Sequence, residues 1–183
     1  PDSLDPVMLY VRQDFGPVTT IPIQFVHILT TPNPFRFRSR DLLTFEARTA
    51  TGIWIRLEGR TYSVEQQNGV WIVMEPANHT VENVGDIETL LRKLGSAYAA
   101  GVVEPLPASD VMGLAEPFLE AVVTYSTPEG VRTAGPLRLG NLTASKSRFR
   151  FGRVSGRLET FYVDHGLIED LRIGLQGIRP IEE

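Results

Sequence analysis

Three short apolar runs separated by glycine turns constrain this chain more than any other feature. Ile53–Leu57, Thr61–Glu65 and Val70–Met74 are each of strand length, and Glu58-Gly59 and Gln67-Asn68-Gly69 separate them. Asn and Gly tolerate positive φ, so Asn68-Gly69 is the residue pair that a tight hairpin turn requires. Runs this close together pair with their immediate neighbours, which predicts an antiparallel meander.

The same logic predicts further hairpins. Phe118–Tyr125 and Val131–Leu139 flank Pro128-Glu129-Gly130, and Arg148–Phe151 and Leu158–Val163 flank Ser155-Gly156. Upstream, Val7, Leu9 and Val11 alternate, as do Ile21, Ile23 and Phe25, with Asp14-Phe15-Gly16-Pro17 as the turn between them. Pro22 lacks a ladder donor and belongs at a strand edge or bulge.

One stretch breaks the period of two. Ile87, Leu90, Leu91, Leu94 and Tyr98 are spaced as one stripe of an amphipathic helix spanning about 83–99. Acidic residues precede it and Arg92 and Lys93 come late, an order that suits the helix dipole. Ser109–Gly113 reads as a single helical turn stopped by Gly113. Ile168–Ile178 fits either a strand or a turn of helix. The fold class is therefore α+β: antiparallel hairpins and a meander, with one main amphipathic helix packed on the sheet.

The break Thr30-Thr31-Pro32-Asn33-Pro34 suggests a boundary. Residues 1–34 read as the closing hairpin of a preceding repeat-like unit, and 35–183 as a β-rich module. A faint internal echo fits this: Tyr10-Val11-Arg12 before Gly16 resembles Phe151-Gly152-Arg153 before Gly156, with the spacing differing by one residue.

Several chemistries are excluded by composition. With no cysteine among 183 residues, there is no thiol nucleophile, disulfide or cysteine-ligated zinc. A net charge of −4 argues against nucleic acid as a partner. Glycine-rich phosphate loops, GxSxG and HExxH are missing, so neither a cofactor nor a metal is expected. Glu75 and His79 are four apart, but Pro76 lies between them and spoils helical ligand spacing. His27 sits between Val26 and Ile28 and reads as structural.

Two groups of polar residues stand out. Asp164-His165 could supply a general base to a hydrolase, although adjacent strand residues point to opposite faces and Gly166 marks a turn. The other group alternates cation and aromatic: Phe35-Arg36-Phe37-Arg38-Ser39-Arg40 and Lys146-Ser147-Arg148-Phe149-Arg150-Phe151. Alternation puts Arg36, Arg38 and Arg40 on one strand face and Arg148 and Arg150 on another, with the Phe rings opposite. These five arginines are the candidate anion-binding surface for a lipid headgroup, glycan or acidic partner; the simpler reading is Phe in the core and Arg in water.

Gly69-Val70-Trp71, the strand ending at Pro76, the helix after it, and Gly113-Leu114-Ala115-Glu116-Pro117 leading into a strand and Leu137-Arg138-Leu139-Gly140 form a recognisable order. Over roughly 35–175 it resembles the bacterial domain-of-unknown-function family 4340. The resemblance implies a non-enzymatic structural or protein-interaction module in an extracytoplasmic, membrane-anchored envelope protein. It further implies an anchor upstream of Pro1, a protein partner in a membrane-associated complex, and association with ABC-transporter or gliding-type systems. No catalytic residue is implied. Trp71 reads as a core aromatic holding the meander against the helix.

Overall fold

A computed structural model describes residues 8–12, 18–22, 39–76, 79–81, 83–144 and 146–178. The chain divides into two compact units, Pro1–Ser39 and Arg40–Glu183. In the first, β1 (Met8–Arg12) and β2 (Val18–Pro22) form an antiparallel pair in which Pro22 closes the ladder opposite Met8. Pro22 thus sits at a strand end, where its missing donor matters least.

The second unit is built on one nine-stranded sheet. Its strands are β3 (Ala50–Leu57), β4 (Arg60–Gln67), β5 (Val70–Glu75), β6 (His79–Thr80), β7 (Ala99–Val102), β8 (Leu119–Thr127), β9 (Gly130–Thr143), β10 (Lys146–Val154) and β11 (Phe161–Asp164). The order across the sheet is β6-β5-β4-β3-β8-β9-β10-β11-β7, and every pairing is antiparallel. The helices are α1 (Val84–Gly95), α2 (Ser109–Met112) and α3 (Gly166–Gln176).

Two similar halves meet at the β3/β8 seam. Strands β3 to β6 form a meander followed by α1, and β8 to β11 form a meander followed by α3. Strand β7 leaves the first half and pairs with β11, the outer strand of the second. Asn68 and Gly69 both have the expected positive φ, and so do Glu58 and Gly59 at the preceding turn.

Alternation sorts the strands into faces. Ile53, Ile55, Tyr62, Val64, Trp71, Val73, Leu119, Ala121, Leu137 and Leu139 are buried. Register places Ile55 beside Tyr62 and Ala121, and Leu119 beside Leu139, so these residues share one face. On the other face Arg56, Glu120 and Arg138 stand in line across three strands. Glu120 is buried and accepts from Arg56 Nη2 at 2.8 Å and Arg138 Nε at 2.7 Å.

Helix α1 starts where Asn83 Oδ1 accepts from the Gly85 N–H at 3.1 Å, and it buries Ile87, Leu90, Leu91 and Leu94. It ends at Gly95, short of the expected 99. The Ser96 N–H bonds to the Arg92 carbonyl, and Tyr98 is exposed, bridging Asp41 before β7 begins. Residues 96–99 leave the helix because their backbone groups pair with residues 40–42: Leu42 N–H donates to Ala97 and Ala99 N–H to Arg40.

The tail is a second helix. Helix α3 is 11 residues long against 12 for α1, so the unit has two main helices rather than one. It buries Ile168, Leu171, Gly174 and Leu175 and lies beside α1. A Cβ on Gly174 would sit 2.6 Å from Leu90 Cδ2, so the bare glycine is what lets the helices approach. Lys93 Nζ bonds Asp170 Oδ2 at 2.8 Å across the pair. The single turn α2 stops at Gly113 as expected, with φ +63°. Its carbonyl end lies directly over Gly140 of β9, and Asn141 Nδ2 donates to the Val111 carbonyl at 3.0 Å.

Candidate functional site

The candidate arginines do not share one environment. Arg36 and Arg38 lie outside the described residues, as do His27 and the side chain of Lys146. Arg40 is exposed, and its carbonyl accepts from Ala99. Arg148 is exposed and ion-paired, with Nη2 at 2.7 Å from Asp164 Oδ2. Arg150 is 7% exposed. Its Nη1 donates to the Gly140 carbonyl at 2.7 Å, its Nε to His165 Nδ1 at 3.1 Å, and its Cζ lies 3.8 Å above the Phe118 ring. Among the described residues no carboxylate comes within ion-pair distance of it. Burial, reinforced by the nearby Arg172 cation, pulls its pKa below the usual guanidinium value, and Glu58 opposes this. Arg150 therefore does not follow the simple pattern of Phe in the core and Arg in water.

The residues around Arg150 extend into a network. Arg172 of α3 pairs with Glu169 at 2.6 Å and reaches Glu58 in the β3–β4 turn. His165 Nε2 is 3.7 Å from Glu169 Oε1. Because His165 Nδ1 accepts from Arg150, its proton resides on Nε2. Nothing local in the sequence marks Phe118, Glu58 or Arg172 as neighbours of Arg150, since they come from three distant segments.

Asp164 and His165 bond to different partners. Asp164 Oδ1 accepts from the Gly166 N–H at 2.8 Å, satisfying a donor at the start of α3, while Oδ2 takes Arg148. These bonds, the Gly166 one first, hold the Asp164 pKa below the ordinary carboxylate range against the opposing effect of burial. A carboxylate whose folded pKa is depressed stabilises the fold above its unfolded pKa, near 3.9, and that stabilisation is lost as pH falls through the folded value. Urea unfolding of Asp164→Asn should therefore show reduced stability at neutral pH, with the gap to the parent chain narrowing below about pH 4. A gap that stayed constant down to pH 2 would contradict this role.

A concavity lies elsewhere, at α1. A groove of about 830 Å³ runs between this helix and the meander. Phe45, Ala50, Trp71 and Leu91 line it, with Val84 of α1. Ala50, Trp71 and Leu91 are buried, while Gln66, Glu88, Arg92, Ser96 and Arg48 are exposed at its margin. Arg48 Nε bonds Glu46 Oε2 at 2.8 Å, and Arg92 Nη2 bonds Thr89 Oγ1 at 3.3 Å. Trp71 is thus a buried anchor, as its place in the sequence suggested, and also part of a groove wall. Gly95 lies under the Phe45 ring, where an added Cβ would be 3.5 Å from Cζ.

No family model, curated protein or solved structure matches this chain. Among the described residues no group of three or more His, Asp or Glu side chains is placed to hold a metal ion, and no helix is long and apolar enough to cross a membrane.

Proposed function

We propose that this chain is a non-enzymatic interaction module of a membrane-anchored bacterial envelope protein, with a protein partner in a membrane-associated complex of the ABC-transporter or gliding type. The motif order resembling domain-of-unknown-function family 4340 supports the setting. The observation that carries the non-enzymatic reading is the use of the acid–histidine pair: both Asp164 oxygens serve the α3 start and Arg148, and His165 Nδ1 is taken by Arg150. A hydrolase would need that imidazole nitrogen free or turned to the carboxylate.

The test uses the parent reading frame in its own host. Photo-cross-linking residues placed at exposed positions, such as Ile173 on α3 and Leu158 before β11, should give discrete adducts with a membrane-complex protein. His165→Gln should leave those adducts unchanged. A hydrolytic activity that His165→Gln abolishes would overturn the reading.

A second reading, a ligand-binding domain, is favoured by the groove at α1. Its volume lies in the range of roughly 300–1,000 Å³ typical of small-molecule sites. Neither Arg40, Arg148 nor Arg150 lines that groove.

A further inference from the structure

We propose that the groove between α1 and the meander binds a single-chain anionic amphiphile, a long-chain carboxylate whose tail lies along Trp71 and Leu91 and whose head is held by Arg48 and Arg92. The inference rests on the ligand-binding reading and is independent of the protein-partner one.

The chemistry of the lining selects this class. Ala50, Leu91, Trp71 and Phe45 form an apolar wall, and the polar side chains Gln66, Glu88, Thr89 and Ser96 belong to the margin. A peptide laid along that wall would need a partner for every amide group it buries, and a buried unpaired amide is unfavourable. Methylene groups have no such requirement, and their burial is favourable in proportion to the area covered. The groove is also larger than a single side chain would fill.

The margin selects the head. The lining includes two guanidinium groups, Arg48 and Arg92, and one carboxylate, Glu88, with Glu46 beside Arg48. Arg48 is held by Glu46 in an exposed pair, with both side chains more than half accessible. Such pairs are weak and easily exchanged, so a ligand carboxylate can take the same donors. Arginine presents the planar fork that matches a carboxylate, which a lysine would not. A neutral head would forgo both contacts.

The protein carries its own reporters. Its two tryptophans are Trp54 and Trp71. Trp71 lines the groove, while Trp54 lies between Ser63 and Val122 on the opposite sheet face to Ile53 and Ile55. The full 183-residue chain is prepared as Trp54→Phe, leaving Trp71 emitting, and as Trp71→Phe, leaving Trp54. Each is titrated with monomeric bromostearate, whose bromine quenches indole emission at contact. The expected result is saturable quenching of Trp71 with Trp54 little affected. The double charge reversal Arg48→Glu/Arg92→Glu should weaken the affinity at least tenfold, as should replacing the acid by its methyl ester. In the unaltered chain, unlabelled stearate should displace a fluorescent carboxylate probe, which keeps the test valid should Trp71→Phe fold poorly. Equal quenching of both reporters, no saturable quenching of Trp71, or an ester that binds as tightly as the acid would each overturn the proposal. Any of these failures leaves the cross-linking result untouched, and a failed cross-link leaves this titration untouched.

Discussion

Replacing Gly140 with alanine is expected to destabilise the larger unit by about 3 kcal/mol, the upper end of overpacking penalties. The added Cβ would lie well inside contact distance of the Met112 carbonyl oxygen and 2.9 Å from the Gly113 carbonyl carbon. These are backbone atoms, so no side chain can rotate away, and α2 would have to lift from β9. Lifting it would disturb the apolar cluster of Val103, Met112 and Phe151 that it helps to cover, with Leu114 and Tyr162 packed against it. Gly59→Ala is the control. Its surroundings are open, with nothing within 4 Å of an added Cβ, but φ is +78°, so only the left-handed conformation is penalised, by about 1 kcal/mol. The two should differ clearly in urea midpoint at unchanged slope. Equal losses would show that α2 does not press on Gly140 as described.

Arg150→Ala should destabilise the chain by about 3 kcal/mol, and Arg148→Ala by less than about 1 kcal/mol. Removing Arg150 leaves the Gly140 carbonyl and His165 Nδ1 without their donor and strips the Phe118 ring of its cover. Removing Arg148 frees one exposed ion pair. Arg150→Lys should recover only part of the loss, because an ammonium cannot span both acceptors while stacking flat on the ring. An anion-binding surface made of these two arginines predicts the opposite pattern: similar small effects on stability and similar large effects on binding. Chemical unfolding of the variants separates the two outcomes.

The contrast between Arg148 and Arg150 shows where sequence legibility ended. Alternation correctly separates Phe149 and Phe151 from Arg148 and Arg150 along β10, but it does not say that both sides of that strand are covered. Phe151 packs with Val103 and Met112, while Arg150 lies against Phe118. Both contacts join distant segments, and no local pattern encodes them. The meander was legible because its turns are local: Gly59, Asn68 and Gly69 adopt the positive φ that glycine and asparagine tolerate, and Glu58 is carried into it at φ +53°. The body of α1 was legible for the same reason.

Other elements depend on partners that the sequence does not display. Strand β7 contains Ala99, Ala100 and Gly101, poor strand formers, and exists by pairing with β11. Helix α3 contains Gly166 and Gly174, which weaken its helical signal, and Gly174 is tolerated because Leu90 fills the space beside it. The groove was hidden likewise. It joins Phe45 to Ala50, the β4–β5 turn and one side of α1, segments that no local pattern connects.

The crossing of β7 from the first half to the edge of the second has a consequence for how this unit comes apart. Each half lends the other something it lacks: the first supplies the outer strand beside β11, and the second supplies β8 beside β3 and Gly174 beside Leu90. If either half melts, the survivor is left with a bare inner strand and a helix stripped of its neighbour. The two meanders are therefore interlocked, and residues 40–178 are expected to unfold in one cooperative step rather than half by half.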